Sequence, residues 1–294
     1  MSTFDYLEPA SVDEAVALLA QYGDDAHLVA GGTSVVLMLR QGLIQPAVLV
    51  GLRGIPELRG IHVADDGSLV IGATQTIRSL ERAPAVSQYA PALADALSEI
   101  ATVRIRNQAT IGGSLAHADP AQDPPPMLIA LDAAVGVAGT DGQRQIPLHE
   151  LFVDIFETSL EAGDVITSVV LPPRPRDADA VYVKFLPGSK DDYATISVAV
   201  SGRHTNGTWQ DLRVVCGAAG PTAIRVRAAE AALDGTQLEG TDVARAAGIV
   251  AEAVDPIDDL RGSADYKRSM ANVWTRRALE RLAGRASRDA GGRP

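Results

Sequence analysis

Two short segments of this sequence place paired glycines beside small hydroxyl residues. The first is Ala30-Gly31-Gly32-Thr33-Ser34, and the second is Thr110-Ile111-Gly112-Gly113-Ser114. Glycine lets the backbone turn sharply and approach a ligand closely. Consecutive backbone N–H groups form an anion-binding concavity, to which the start of a following helix adds positive potential. Two such segments that converge could hold a diphosphate, although a single Gly-Gly pair is more often an ordinary turn.

Two familiar nucleotide-binding patterns are missing from the chain. No G-x-G-x-x-G follows a strand, and no G-x-x-x-x-G-K-[ST] is present, because Gly188-Ser189-Lys190 lacks the upstream glycine. A bound dinucleotide would therefore be held outside the Rossmann and P-loop modes.

Other residues capable of chemistry have ordinary structural interpretations. His117 has no second histidine at ligand spacing, which favours a hydrogen-bonding role in a loop, and Asp119 is typical of a turn. Cys216 is the single cysteine, so it forms no internal disulfide and cannot by itself ligate an iron–sulfur cluster. It is predicted to be a small buried hydrophobic residue.

Composition excludes several classes of partner. The 294 residues carry 26 Lys and Arg against 37 Asp and Glu, a net charge of −11, with no basic run. Phosphate binding by nucleic-acid proteins needs clustered cations, so we expect no nucleic-acid partner. The N-terminus does not resemble a secretory signal, and no stretch approaches the ~20 apolar residues of a membrane span. These features predict a soluble cytoplasmic protein.

The elements that position the glycine segments follow from hydrophobic periodicity and turn residues. A helix is predicted to begin at Ser11, which forms an S-x-x-E capping box with Glu14. Prolines at 172, 173 and 175 mark a domain boundary, after which a run of strands followed by helices indicates an α+β domain with an antiparallel sheet. Strands are predicted at 27–30, 47–52, 68–73, 133–138, 165–171, 181–186, 195–203 and 212–218. Helices are predicted at 35–40, 76–82, 91–100, 223–233, 243–254 and 266–283.

A longer string around the second glycine segment carries a family resemblance. Residues 103–131, VRIRNQATIGGSLAHADPAQDPPPMLIAL, resemble the flavoprotein subunit of the molybdenum hydroxylases. That family includes the medium subunit of aerobic carbon monoxide dehydrogenase, the FAD subunit of xanthine dehydrogenase, and relatives that act on nicotine and caffeine. VAGGTSVVLMLR (29–40), KDDYA (190–194) and SADYKR (263–268) extend the resemblance over residues 1 to about 283.

The resemblance implies an α+β fold with two domains. A two-part FAD-binding domain of the vanillyl-alcohol oxidase (PCMH) type would span 1–175, with subdomains at about 1–55 and 56–175. A smaller α+β domain, with an antiparallel sheet and helices, would span 178–285. Residues 286–294 would form a frayed tail that starts near Arg285.

The resemblance also implies a set of FAD-binding residues. Asp123 would lie near the ribose or adenylate end, Tyr193 against the isoalloxazine ring, and Ile166 and Lys184 near the flavin, with Ile100 as a weaker match. Tyr193 could instead be an ordinary strand-end aromatic, and Lys184 a solvated strand residue. The diphosphate would contact Leu28, Val29, Ala30, Gly31, Gly32, Thr33, Ser34 and Val35 on one side and Thr110, Ile111, Gly112, Gly113 and Ser114 on the other.

The implied function is electron transfer without a catalytic side chain or a metal in this chain. Electrons would pass from two [2Fe–2S] clusters of a small subunit through FAD to NAD⁺, a quinone or oxygen. A large subunit with a molybdopterin cytosine dinucleotide molybdenum centre would hydroxylate the substrate, and the assembly would be a dimer of heterotrimers. Thr33 and Ser114 depart from the carbon monoxide oxidising pattern, so the substrate stays open. The alternatives are a self-contained flavin-dependent oxidase of the same fold superfamily and a non-enzymatic binding or assembly module.

Overall fold

The chain is an α+β protein in which three larger sheets follow one another along the sequence, and β8 and β9 form a fourth, two-stranded sheet. The computed structural model describes residues 4–189 and 191–290, so Lys190 of the KDDYA segment lies outside it. The strands are β1 (Asp5–Leu7), β2 (Ala26–Val29), β3 (Val48–Gly51), β4 (Ile61–Val63), β5 (Leu69–Gly72), β6 (Ala134–Gly139), β7 (Gly142–Pro147), β8 (Phe152–Asp154), β9 (Glu157–Thr158), β10 (Val165–Leu171), β11 (Ala178–Phe185), β12 (Ile196–Thr205), β13 (Thr208–Gly217) and β14 (Ile224–Arg225). The helices are α1 (Val12–Tyr22), α2 (Val35–Gln41), α3 (Ile77–Glu81), α4 (Pro84–Tyr89), α5 (Pro91–Ser98), α6 (Val103–Arg106), α7 (Ile111–His117), α8 (Pro124–Ala130), α9 (Leu148–Leu151), α10 (Arg227–Leu233), α11 (Gly240–Ala253) and α12 (Ala264–Ala290).

The first sheet is parallel, in the order β1-β3-β2, and α1 packs against it. The predicted cap at Ser11 is confirmed, because its Oγ accepts the Glu14 N–H at 3.2 Å. The Glu14 carboxylate accepts the N–H of Ala10, one residue before the cap, at 2.7 Å. With its start fixed in this way, α1 buries Ala15 and Leu19 against the sheet.

The second sheet is antiparallel, in the order β4-β5-β10-β6-β7. Its buried face forms one apolar core with helices α3, α4, α5, α7 and α8. The helix α8 was not predicted, because it begins with three consecutive prolines (124–126). Proline is tolerated in the first turn of a helix, where its missing N–H would have had no partner.

The third sheet, in the order β11-β12-β13-β14, is covered on both faces. Val181 and Val183 point towards helices α10, α11 and α12. Tyr182 lies on the opposite face and belongs to the core of the second sheet. Because successive side chains of a strand alternate between faces, Lys184 shares the face of Tyr182. Through this face, the third sheet packs against the core of the second sheet.

Most predicted elements are present, with exceptions at polar edges. The strand over 165–171 and the helix after the first glycine segment are confirmed. The strand β7 was missed, since its sequence GQRQIP is exposed along nearly its whole length and has no apolar alternation. The expected frayed tail is wrong as far as Ala290, because α12 continues through Gly284 to that residue. Residues 291–294 lie outside the described part of the chain.

Over the described ranges, none of the helices combines the length and the apolar character that crossing a membrane requires.

Candidate functional site

The first glycine segment forms the loop between β2 and α2, and its two glycines are needed for different reasons. Gly32 has φ +76°, in the left-handed region that favours glycine. At Gly31, a Cβ atom would lie 2.1 Å from the carbonyl oxygen of Gln108. Only a residue without a side chain allows that approach. The first segment therefore lies directly against the backbone two residues before Thr110.

The backbone donors of this loop are its second feature. Among the residues that the structure describes, the N–H groups of Gly31, Gly32, Thr33 and Ser34 have no hydrogen-bond acceptor, and all four residues are half-buried. Four successive N–H groups without an acceptor in the described part of the chain can donate to water or to an external acceptor. An anionic group with several oxygens fits these donors.

The second glycine segment differs from the prediction. It is not a loop: Thr110 is the N-cap of α7, and Ile111 to Ser114 form the first helical turn. The N–H groups of this turn donate within the protein, to Gln75 O (from Ile111, 3.0 Å), Ala73 O (from Gly112, 2.9 Å), Thr110 Oγ1 (from Gly113, 3.2 Å) and Thr110 O (from Ser114, 2.9 Å). The expectation of free amides in this segment is therefore wrong.

The glycines of the second segment serve close packing. A Cβ atom at Gly112 would lie 2.6 Å from the Cβ of Ala73. The N–H of Ala73 in turn donates to Thr167 O on β10 at 3.0 Å. Ile166, the residue before it, is 5% exposed and lies in the core. The segment is thus a rigid wall, fixed to the second sheet, beside the open loop at Gly31–Ser34.

A second group of predicted residues meets where the third sheet covers the core of the second sheet. Lys184 Nζ donates to Asp123 Oδ2 at 2.9 Å and to the carbonyl oxygen of Glu99 at 2.9 Å. The side chains of Lys184 and Asp123 are 1% and 5% exposed, so the alternative of a solvated Lys184 is wrong. Tyr182 donates its O–H to Asp123 Oδ1 at 2.6 Å. Burial raises the pKa of the Asp123 carboxyl, although the Lys184 ammonium and the hydrogen bond from Tyr182 oppose this shift.

The two groups of residues are connected. The hydroxyl of Ser114, on α7, contacts the side-chain oxygen of Gln122, which precedes Asp123. Ile100, half-buried, follows the Glu99 carbonyl that holds Lys184, and its own carbonyl accepts Arg106 Nη1 at 2.7 Å. The structure therefore brings Thr110–Ser114, Asp123, Ile100 and Lys184 into one contiguous region.

Tyr193 lies in the connection between β11 and β12. Its ring is 42% exposed, and the guanidinium of Arg261 lies 5.3 Å from the ring centroid. Partial burial raises the pKa of the Tyr193 hydroxyl, and the Asp119 carboxylate adds to the shift. An exposed aromatic ring beside a cation is available for contact with a ligand or a partner.

His117 shows no sign of a metal or acid–base role. Its ring lies 5.1 Å from that of Phe156, and burial lowers its pKa, which favours neutral imidazole at pH 7. Over the described ranges, no group of three or more His, Cys, Asp or Glu side chains is arranged to hold a metal ion.

Four residues of this region were not found from the sequence: Arg53, Gln108, Gln122 and Tyr182. Gln108 supplies the backbone against which Gly31 packs, and its side chain accepts Arg53 Nη2 at 2.8 Å. Gln122 and Tyr182 join Asp123 to its surroundings. Each is a common residue type without a local motif, so only the tertiary contacts identify it.

Comparisons with known proteins give one consistent result. The family described as the FAD binding domain in molybdopterin dehydrogenase matches residues 2–174, and the CO dehydrogenase flavoprotein C-terminal domain matches residues 181–282. The carbon monoxide dehydrogenase medium chain of Hydrogenophaga pseudoflava is 38% identical over 277 residues, which are 94% of this chain and 96% of that protein. The 6-hydroxypseudooxynicotine dehydrogenase complex subunit alpha of Paenarthrobacter nicotinovorans is 36% identical over 284 residues, 97% and 96% of the two chains.

The fold is also similar to a solved structure. The carbon monoxide dehydrogenase from Hydrogenophaga pseudoflava, in a form that lacks the Mo-pyranopterin moiety of the molybdenum cofactor, superposes with a TM-score of 0.91 at 39% identity. The match covers 94% of this chain and 96% of that one.

Proposed function

The chain belongs to the FAD-binding medium subunits of the molybdenum hydroxylases, and we propose that it relays electrons from an iron–sulfur partner subunit through FAD to an external acceptor. Its relatives are flavoprotein subunits of oxidoreductases. The observation that carries the proposal is the loop Gly31–Ser34, whose four N–H groups have no acceptor in the described part of the chain and whose Gly31 packs against the backbone of Gln108, just before the second glycine segment. A dinucleotide diphosphate has the charge and the oxygen atoms to accept these donors.

The residues present fit FAD in an extended arrangement. Leu28 to Val35 would contact the diphosphate, and Thr110 to Ser114 would form the wall beside it. Asp123 would lie near the ribose, while the flavin ring would lie towards Ile100, Ile166, Lys184 and Tyr193. We assign residues 1–175 to the FAD-binding domain and 178–285 to the domain that covers it.

The chemistry that FAD supplies is the acceptance and release of electrons. This chain's own residues would bind the dinucleotide, orient it and exclude water. Lys184, almost fully buried and paired with Asp123, would position this carboxylate on the side of the third sheet.

The relatives' names point to partner subunits, since one is a medium chain and another a subunit of a dehydrogenase complex. We propose a large molybdenum-binding subunit and a small subunit with two [2Fe–2S] clusters as partners, in a dimer of heterotrimers. The helix α2 supports this, because its sequence VVLMLRQ has no buried residue in the chain alone. Val36 and Leu37 are 49% and 56% exposed directly after the glycine loop, a place where a partner would cover apolar surface.

The first experiment places a negative charge in the loop Gly31–Ser34, which is the proposed cradle for the diphosphate. We expect wild-type protein to contain one FAD per chain by visible absorbance, and Gly32→Asp to lose it, because a carboxylate in the loop repels the diphosphate. Gly32→Asn is the matched control: it has the same shape and the same tolerance of positive φ without the charge. Full FAD occupancy in Gly32→Asp would contradict the assignment of this loop.

The second experiment tests the relay. In the chain purified with its partner subunits, electrons should pass from reduced iron–sulfur clusters to FAD. The transfer is monitored after rapid mixing as the bleaching of the flavin absorbance. The chain purified alone should bind FAD and oxidise no small organic substrate. Turnover of such a substrate by the isolated chain would favour the self-contained oxidase instead.

A further inference from the structure

One buried charged pair joins the third sheet to the FAD-binding domain. Lys184 and Tyr182 lie on the same face of β11, and both reach the carboxylate of Asp123. We propose that Tyr182 is a positioning residue, which with Asp123 and Lys184 forms a latch that couples docking of the C-terminal domain to retention of FAD. This inference rests on the proposed function and names a residue outside the predicted site.

The first argument is the set of donors that Asp123 uses. It occupies the N-cap position of α8, whose first three residues are prolines without an N–H group, so this first turn offers its carboxylate no donor. The side chain turns towards β11, with one oxygen held by Tyr182 and the other by Lys184. Both carboxylate oxygens are thus used in contacts between domains.

The second argument is burial. An ion pair almost fully removed from water is stable only if hydrogen bonds satisfy its remaining oxygen and nitrogen atoms. The Tyr182 hydroxyl and the Glu99 carbonyl fill this role for Asp123 and Lys184. If the third sheet moves away, the carboxylate loses both of its donors at once. The latch therefore favours two states, docked and undocked, over intermediate positions.

The third argument is the connection to the dinucleotide region. Asp123 follows Gln122, whose side chain contacts Ser114 on the glycine helix α7. On the other side, the carbonyl that holds Lys184 belongs to Glu99, which precedes Ile100. FAD that contacts Ser114 and Ile100 would bind the docked state better than the undocked one. By linkage, docking then strengthens FAD binding to the same extent.

The test is Tyr182→Phe, which keeps the ring and removes the hydroxyl that donates to Asp123. We expect the Kd of FAD for the apoprotein, measured by fluorescence titration, to rise about tenfold, since a hydrogen bond to a charged group is lost. The rise in Tm on adding FAD should become smaller. A purely structural role would lower the Tm of the apoprotein and leave the Kd unchanged.

The matched control is Asp177→Asn. Asp177 pairs with Arg203 at 2.9 Å on the same sheet, but both side chains are partly exposed and neither contacts Asp123. We expect no change in the Kd of FAD. If Asp177→Asn and Tyr182→Phe raise the Kd of FAD equally, the latch proposal is wrong. FAD binding would then respond only to general destabilisation of the third sheet.

A second measurement needs no variant. FAD should slow proteolytic cleavage of wild-type protein in the proline-rich connection at 172–177, because it favours the docked state. Cleavage at the same rate with and without FAD would overturn the latch while leaving the relay function intact. A wild-type chain that takes up no FAD would overturn the proposed function, and the latch with it.

Discussion

The two glycine-paired segments are similar in sequence and differ in the structure. In Gly31–Ser34 the glycines open the backbone, and four N–H groups have no acceptor among the residues that the structure describes. In Thr110–Ser114 the glycines close the backbone onto a strand end, and the N–H groups of the turn are all used within the protein. Paired glycines therefore indicate where the backbone is crowded or strained, and the hydrogen-bond partners decide whether a ligand is bound there.

The difference follows from what precedes each segment. The first follows the parallel strand β2 and has five residues, 30–34, before α2 begins. The second begins α7 at once, since Thr110 forms a bridge to Thr76 and Ile111 is already helical. A helix that starts against a strand end must satisfy its first N–H groups there. We therefore expect substitutions in the two segments to have different consequences.

Gly31→Ala should have the largest effect, because it acts where the first segment packs against the backbone just before the second. Its Cβ would lie 2.1 Å from the backbone oxygen of Gln108, which has no rotamer to change. We expect loss of bound FAD by visible absorbance and a decrease of about 1–3 kcal/mol in the free energy of unfolding in urea.

Gly54→Ala is the control for this substitution. Gly54 lies just beyond the same sheet, but its nearest neighbour would be the Pro9 oxygen at 4.0 Å, and its φ is not positive. This variant should keep both FAD and stability. A Gly31→Ala protein with stoichiometric FAD would show that the cradle does not depend on contact between the segments.

The fold was largely predictable from the sequence, and the site only in part. Strongly periodic elements such as β10 and α1 were found because apolar spacing determines both. The family resemblance gave the place of both glycine segments. The hydrogen-bond state of Ile111–Ser114 could not be predicted, because its acceptors, Ala73 and Gln75, come from a distant strand end. The Asp123–Lys184 pair depends on a contact 61 residues apart in sequence, which no local pattern encodes.

Thr110→Val should have an intermediate effect, on stability more than on FAD. It removes the Oγ1 atom that accepts the N–H of Gly113 at 3.2 Å and keeps the branched shape. Loss of an N-cap costs about 1 kcal/mol. The free energy of unfolding should fall by that amount, with a smaller relative increase in the Kd of FAD than in Gly31→Ala. Thr110→Ser retains the hydroxyl and should behave as wild type; a stable Thr110→Val that binds no FAD would instead place this hydroxyl on the ligand.

Arg53→Ala should have the smallest effect. It tests whether the backbone contact of Gly31 with Gln108 alone fixes the shape of the first segment, or whether Arg53 is needed as well. Arg53 donates to the Gln108 side chain at 2.8 Å, and both residues are exposed. If the backbone contact of Gly31 with Gln108 alone fixes the cradle, removing this exposed hydrogen bond should change the free energy of unfolding by less than about 0.5 kcal/mol. The Kd of FAD should then rise by about threefold or less at physiological salt, where exposed charges are screened. Arg53→Lys keeps the charge and loses the two-nitrogen geometry, so it reports on charge alone. If Arg53→Ala abolishes FAD binding while Arg53→Lys preserves it, the guanidinium acts on the diphosphate directly and the free amides of Gly31–Ser34 are not sufficient.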